Sequence, residues 1–189
     1  MKARFPDRWL EVIIVYSVRE LLLLRHAKSD WDAGAESDFE RPLSKRGRRD
    51  APRVGQWLRQ KGLEPDLVIS SPATRTRQTA CEVFKVFGIE EDRIDWEARI
   101  YDAGLGMLLD VLAECRRRTG RVLLVGHNPG LALLLTYLCG STVEPPPDGK
   151  VLPTATLARI GMPSDWRELQ ADSGNLVSLT RPTAMDAGK

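Results

Sequence analysis

The chain has two histidines, and each stands at the exit of an apolar run of strand length: Glu20-Leu21-Leu22-Leu23-Leu24-Arg25-His26-Ala27 and Arg121-Val122-Leu123-Leu124-Val125-Gly126-His127-Asn128. A third run, Asp66-Leu67-Val68-Ile69-Ser70-Ser71, leads into Pro72-Ala73-Thr74-Arg75. Uninterrupted apolar runs of this length suit strands buried on both faces of a parallel sheet. In an open α/β sheet the ligand crevice lies beyond the carboxyl ends of the strands, so these runs would deliver Arg25, His26, Arg75 and His127 to one place. A neutral imidazole can attack phosphorus, and guanidiniums can grip phosphoryl oxygens in a two-pronged way. One histidine would attack and the other, protonated, would stabilise charge. Each of the four alone reads equally well as a structural residue or a surface ion-pair partner; their coincidence at one sheet edge points to a phosphoryl pocket.

Other chemistries fit the residues poorly. Two histidines far apart in sequence, with no H-x-H, H-E-x-x-H or paired cysteines, leave a zinc site short of ligands, so neither a metal nor a cofactor is expected. There is no G-x-S-x-G elbow for a serine hydrolase and no Walker pattern.

The elements that must position the four residues alternate along the chain. Ser44 is a candidate N-cap for a helix to Lys61, stopped at Gly62, with Val54, Trp57 and Leu58 on its apolar face; Pro52 inside it predicts a kink or a late start. Thr74 to Phe87 has amphipathic spacing with Cys81, Phe84 and Phe87 on one side, closed by Gly88. A short strand is expected within Asp92 to Tyr101, then a helix from Leu105 to Arg118 ending in a basic turn. The strand before His127 leads into a buried helix from about Gly130 to Cys139. The loop Glu144 to Gly149 carries three prolines, and three further strands are expected over Thr156 to Ile160, Trp166 to Ala171 and Leu176 to Leu179, some of them antiparallel. After His26, the acidic loop Lys28 to Glu40 can rim the site or merely cross the surface, with Trp31 and Phe39 as anchors. This order predicts a single α/β domain of three layers, α/β/α, with a mostly parallel central sheet and helices on both faces.

Composition agrees. At 189 residues with 42% hydrophobic content the chain is long enough to bury one core. Lys and Arg number 28 against 26 for Asp and Glu, so a net charge of +2 makes no case for nucleic acid or a membrane surface as partner. Cys81, Cys115 and Cys139 form no C-x-x-C pair and read as buried free thiols, which suits a cytoplasmic location. Residues 1–19 form a basic and apolar arm that lacks a signal-peptide cleavage site, and are expected as an N-terminal arm or extra edge strand. Residues 20–181 are expected as the domain and 182–189 as a tail. No run approaches the roughly 18 apolar residues of a membrane span, and nothing in the sequence fixes an oligomeric state.

R-H-A-K-S-D-W at 25–31, S-S-P-A-T-R-T-R-Q-T-A at 70–80 and V-G-H-N-P-G at 125–130 resemble the histidine phosphatase superfamily, in particular its SixA-like phosphohistidine phosphatases. R-P-L-S-K-R-G at 41–47 and L-P-T-A at 152–155 extend the resemblance from about Glu20 to Arg181. It implies the phosphoglycerate-mutase-like fold and a metal-independent phosphatase working through a phosphohistidine intermediate. His26 then resembles the nucleophile, Arg25 and Arg75 the phosphate-binding arginines, and His127 the second pocket histidine, with Asn128 beside it as a further substrate contact. Three departures stand out. Ala27 replaces the usual glycine. Asp32 stands where many members carry an asparagine, and a carboxylate there should repel phosphate unless it turns away. Asp102, in Ile100-Tyr101-Asp102, takes the place of the usual glutamate donor and is the candidate acid, with a solvated loop aspartate as the alternative.

The expected partner is a phosphorylated protein, or else a small phosphorylated molecule. A phosphoglycerate mutase would need insertions this chain lacks. A non-catalytic phospho-binding module could keep the arginines but would have no need of both histidines.

Overall fold

The computed structural model describes residues 19–116, 118–140, 143 and 149–185. Of the expected arm, only Arg19 lies within them, and it opens the first strand. The expected proline loop falls almost entirely outside them.

Strands β1 (Arg19–Arg25), β2 (Leu67–Ser70), β3 (Asp95–Trp96), β4 (Arg121–Gly126), β5 (Leu157–Met162) and β6 (Asn175–Thr180) form one sheet in the order β3-β2-β4-β1-β5-β6. β3, β2, β4 and β1 run parallel, while β5 and β6 are antiparallel to their neighbours. The α-helices among the described residues are α1 (Lys45–Gln60), α2 (Thr74–Lys85), α3 (Leu105–Ala113), α4 (Gly130–Cys139) and α5 (Pro182–Met185), and two short 3-10 turns, Glu91–Arg93 and Ala98–Ile100, flank β3. The expected α/β architecture, mostly parallel with helices on both faces, is the one observed.

The alternation of side chains along a strand explains why β1 is apolar throughout. Leu21 and Leu23 join one core with α3 and α4, whereas Leu22 and Leu24 join the other with α1 and α2. β4 repeats the division, with Val122 and Leu124 on the first side and Leu123 and Val125 on the second. Covered on both faces and flanked by β1 and β2, β4 can vary little without opening a cavity, at about 2 to 5 kcal/mol for a leucine cut to alanine.

Several boundaries differ from the sequence reading. Ser44 does cap α1, accepting from the Gly47 amide at 3.2 Å, but the helix starts at Lys45 and carries Pro52 inside it, so no late start occurs. α3 stops at Ala113, because the Cys115 amide turns back to the Leu112 carbonyl at 3.1 Å; Arg116 and Arg118 lie beyond the helix. Residues 166–171 form no strand. Trp166 is buried and donates its indole N–H to the Thr119 carbonyl at 3.0 Å, so its apolarity serves a loop packed on the core. Within the stretch expected as a tail, Pro182 and Met185 are buried and Met185 joins the core around α1.

Candidate active site

One cavity of about 380 Å³ opens at the carboxyl ends of β1, β2 and β4, and Arg25, His26, Arg75, Asp102, His127 and Asn128 all line it. His26 follows the last residue of β1, and its amide donates to the Gly126 carbonyl at 3.1 Å, so the β1–β4 pairing continues up to the imidazole. The Ala27 amide then donates to Thr79 Oγ1 at 3.0 Å, and Thr79 donates to the Arg75 carbonyl at 2.6 Å. Through Thr79 the chain after His26 is fastened to the helix that carries Arg75. Gly47 is a second fastening: a Cβ there would stand 2.1 Å from the Lys28 carbonyl oxygen, so only glycine lets α1 approach the segment that leaves His26.

The two imidazoles are 5.2 Å apart between ring centroids. His26 Nδ1 lies 2.8 Å from the Ala27 carbonyl oxygen. A carbonyl only accepts, so in the neutral ring Nδ1 carries the proton and Nε2 keeps its lone pair. Burial pushes the His26 imidazole down to about 3, and the neighbouring His127, Arg75 and Arg25 push the same way. The ring is therefore neutral near pH 7, as a nucleophile must be.

His127 Nε2 lies 2.9 Å from Ser71 Oγ, which already accepts from the Ala73 amide. If that hydroxyl gives its own proton to Nε2, Nδ1 is the N–H of His127, and Nδ1 is buried without a protein partner. Burial first, then Arg75, pushes His127 down to about 4. The expectation of a protonated second histidine is thus corrected for the free pocket. Two cations beside a desolvated ring favour its neutral form, and the ring can still donate one hydrogen bond.

Arg75 is buried and gives both terminal nitrogens to Asp38, one to its carbonyl oxygen and one to Oδ2 at 2.8 Å. Arg25 donates to the Leu152 carbonyl at 3.0 Å, and burial together with Arg75 lowers its pKa while leaving it a cation. The Nε atoms of both arginines are buried without a protein partner. Unsatisfied buried donors of this kind cost about 1 to 3 kcal/mol each, and all three, counting His127 Nδ1, belong to residues that line the cavity.

Asn128 donates Nδ2 to the same Leu152 carbonyl at 3.0 Å, which ties the segment after residue 149 to the site. Asp102 is exposed on the rim, and its backbone is left-handed at φ 54°, a conformation aspartate adopts more readily than most residues. A Cβ on Gly130 would meet the Ala103 carbonyl oxygen at 2.2 Å, so the glycine after Pro129 holds the Asp102 turn against the start of α4. Asp32 is exposed and does not line the cavity, which removes the anticipated repulsion.

Sequence reasoning passed over Asp38, Arg41, Ser71 and Tyr101. Asp38 bridges two cations, reaching Arg41 through Oδ1 at 2.6 Å and Arg75 through Oδ2, and Tyr101 donates its hydroxyl to Oδ2 at 3.2 Å. Partial burial raises the Asp38 carboxyl, but hydrogen bonds from Arg41 and the charge of Arg75 outweigh it and hold it below its ordinary value. The acidic loop therefore does rim the site. Its Trp31 is no buried anchor: it is 71% exposed and lies under the Arg41 guanidinium at 3.5 Å. The spacing Asp38-x-x-Arg41 was the one available signal. Among the described residues there is no group of three or more His, Cys, Asp or Glu arranged to hold a metal, and no helix is long and apolar enough to cross a membrane.

Residues 21–106 match the model of the histidine phosphatase superfamily, branch 1. The chain is 33% identical over 164 residues to an uncharacterised chloroplast protein of Arabidopsis thaliana, covering 82% of this chain and 72% of the relative. It is 30% identical over 163 residues to an uncharacterised protein of Mycobacterium tuberculosis, covering 84% of this chain and 99% of that one. Its backbone is similar to the crystal structure of a candidate phosphohistidine phosphatase, SixA, from Agrobacterium tumefaciens, with a TM-score of 0.73 and 30% identity over 87% of this chain and 98% of the other.

Proposed function

Since the chain belongs to the histidine phosphatase superfamily, in its SixA-like branch, we propose that it is a phosphatase that transfers a phosphoryl group to His26 and then to water, with phosphohistidine proteins as substrates. The observation that carries this reading is the hydrogen bond from His26 Nδ1 to the Ala27 carbonyl at 2.8 Å inside an arginine-lined cavity. It leaves Nε2 as the only ring nitrogen able to attack.

In the first step the Nε2 lone pair forms a bond to phosphorus while the bond to the leaving group breaks, and that group departs with its electron pair. The ring becomes an N-phosphoryl imidazolium, whose charge is shared through Nδ1–H with the Ala27 carbonyl. In the second step a water oxygen attacks phosphorus, the Nε2–P bond breaks, and the electron pair returns to His26. Arg25, Arg75 and His127 Nδ1–H hold the phosphoryl oxygens where charge grows. As substrate oxygens approach His127, their charge opposes the effect of Arg75 and raises its pKa above that of the free pocket. No step calls on a metal. The free cysteines, two of them buried, fit a reducing compartment such as the cytoplasm.

Asp102 is the proposed proton donor for ester substrates. An alkoxide needs such a donor, worth about 10² to 10⁴-fold, whereas the imidazole of phosphohistidine can take its proton from solvent. Asp102→Asn should therefore depress alkyl phosphoester hydrolysis far more than phosphohistidine hydrolysis. Equal loss on both would make Asp102 a shaper of the pocket, and no loss a solvated loop residue. The function itself is tested by assaying the protein, with and without EDTA, on a phosphohistidine protein and a panel of phosphoesters. Rapid quenching should trap acid-labile phosphate on His26. Turnover of phosphoesters with none on phosphohistidine would replace the protein substrate with a small molecule, and activity lost to EDTA and restored by metal would refute the metal-free route.

A further inference from the structure

Arg75 stands in the first turn of α2, and its side chain is buried and lines the cavity. A long side chain of this kind gives up much rotamer freedom when it is held in one geometry, so something in the fold must hold it. Asp38 holds it twice. Its carbonyl oxygen takes Nη1 and its Oδ2 takes Nη2 at 2.8 Å, so one loop residue supplies acceptors to both terminal nitrogens. The guanidinium keeps further N–H groups, that of Nε among them, for a two-pronged grip on another group.

Asp38 is itself fixed from other sides. Oδ1 accepts from Arg41 Nε at 3.1 Å and from Arg41 Nη2 at 2.6 Å, and Arg41 is buried, bonded to Ser29 and stacked on Trp31. Oδ2 also accepts from the Tyr101 hydroxyl at 3.2 Å, and the Tyr101 ring meets that of His127 edge-on at 5.5 Å and that of Phe39 at 5.0 Å. The bond from the Thr74 amide to the Phe39 carbonyl at 3.0 Å ties the loop to α2 one residue away from both Asp38 and Arg75. A carboxylate with about half of its side chain exposed is thus held by its own loop, by the start of α2 and by the Tyr101 turn. Its charge does not help to bind an anion, because a carboxylate beside the cavity weakens the attraction for a phosphoryl group. What it does supply is orientation.

We propose that Asp38 is a positioning residue: it sets the plane of the Arg75 guanidinium against the phosphoryl group at His26, while weakening the pocket's attraction for anions in general. The proposal rests on the phosphatase reading and adds to it a residue that works through another. Its signature is a divided kinetic effect. The Arg75 contacts count most where charge grows in the transition state, and a displacement of about 1 Å can cost about 10²-fold there. Attraction for a ground-state anion depends on net charge and gains when the carboxylate is removed. Loss of Asp38 should therefore lower kcat while leaving anion affinity intact or improved.

The test compares the wild type, Asp38→Asn and Asp38→Ala on phenyl phosphate in the full chain, each with and without Arg75→Lys. Asp38→Ala should lower kcat by about 10- to 100-fold, and Asp38→Asn, which keeps the backbone carbonyl and one side-chain acceptor, by less. Inorganic phosphate should inhibit both variants at least as strongly as it inhibits the wild type. Vanadate, which adopts the five-coordinate geometry of the transition state, should lose about tenfold relative to phosphate. In the Arg75→Lys background the further loss caused by Asp38→Ala should shrink below about threefold, because the group it orients is gone. Urea unfolding of each variant separates a folding defect from a kinetic one, and Asp38→Asn, at a half-exposed loop position, carries the test if Asp38→Ala unfolds. Equal losses with and without Arg75→Lys would overturn the positioning role, since Asp38 would then act elsewhere than through Arg75. Tighter phosphate and vanadate with kcat unchanged or raised would overturn it too, as the pattern of a carboxylate that only repels anions. No turnover of phenyl phosphate or phosphohistidine by the wild type would overturn the phosphatase reading and this one with it.

Discussion

The two ends of β1 spend charge in opposite ways. At its start, Glu20 is buried and takes Arg121 Nε at 2.6 Å and Arg159 Nε at 2.7 Å, one guanidinium from each neighbouring strand. Both arginines there have a carboxylate of their own fold. At its other end, Arg25 and Arg75 converge on His26 and His127, and three of the nitrogens around that cavity have no protein partner. Asp38 offsets part of the charge, but it is a half-exposed loop carboxylate and not a strand residue shut between two cations. Arginines gathered at the two ends of one strand thus close one end and leave the other for a ligand. What separates a structural arginine from one available to a substrate is whether the fold itself completes its hydrogen bonds.

The largest effect should come from crossing the two ends with isosteric changes. His26→Asn is expected to lower phosphatase kcat/KM by about 10⁴-fold or more, because the attacking nitrogen is gone, while the pH 7 stability moves by less than about 1 kcal/mol. Glu20→Gln should behave in reverse: it removes the charge between two partly exposed arginines, costs about 2 kcal/mol in urea unfolding, and leaves kcat/KM of the folded protein within about threefold. Steady-state kinetics and denaturation on both variants decide the matter. If Glu20→Gln lost activity as severely as stability, the ends of β1 would be coupled and the division of labour wrong.

Within the open end, Arg75→Lys should cost about 2 to 4 kcal/mol in kcat/KM, since a point ammonium cannot reproduce a planar two-pronged grip in the transition state. A change below about threefold would take Arg75 out of the phosphoryl contact and leave it as the partner of Asp38. That partner was the least legible part of the site. His26, His127 and Arg75 could be read from the sequence because each ends or follows a strand buried on both faces, and such a strand is conspicuous as an unbroken apolar run. Asp38 sits in a loop with no periodicity, and only the three-dimensional return of that loop, where the Thr74 amide donates to the Phe39 carbonyl at 3.0 Å, brings it to the arginine. Residues 166–171 erred the other way. Trp166 and Leu169 pack on the core from an irregular segment, and apolar residues with polar ones between them look like a half-buried strand when the turn around Asp165 and Arg167 is not visible.

The smallest of the expected effects separates the two ends by pH. Burial pushes His26 down to about 3 and His127 down to about 4, against an ordinary value of 6.5. In the unfolded chain both rings take up protons as pH falls through 6.5, while the folded protein refuses them until pH approaches 4 and then 3. The stability that this difference represents is complete above 6.5 and is lost progressively as pH falls from there towards the folded values. At pH 5 the loss should be about 2 kcal/mol for each histidine, from 1.5 pH units at about 1.4 kcal/mol per unit. Carboxylates throughout the molecule also titrate on acidification, so the informative quantity is a difference between variants. Urea unfolding at pH 7 and pH 5 should show the wild type losing about 2 kcal/mol more than His26→Asn, which has no ring to protonate. Glu20→Gln keeps both rings, so its histidine-linked loss should remain. The same depressed values place the acid limb of kcat/KM, corrected for ionisation of the substrate, below about pH 5 and not near 6.5. If His26→Asn lost as much stability as the wild type and the acid limb fell near 6.5, His26 would be an ordinary solvated imidazole, and the contrast between a closed and an open end of β1 would lose the desolvation on which the nucleophile depends.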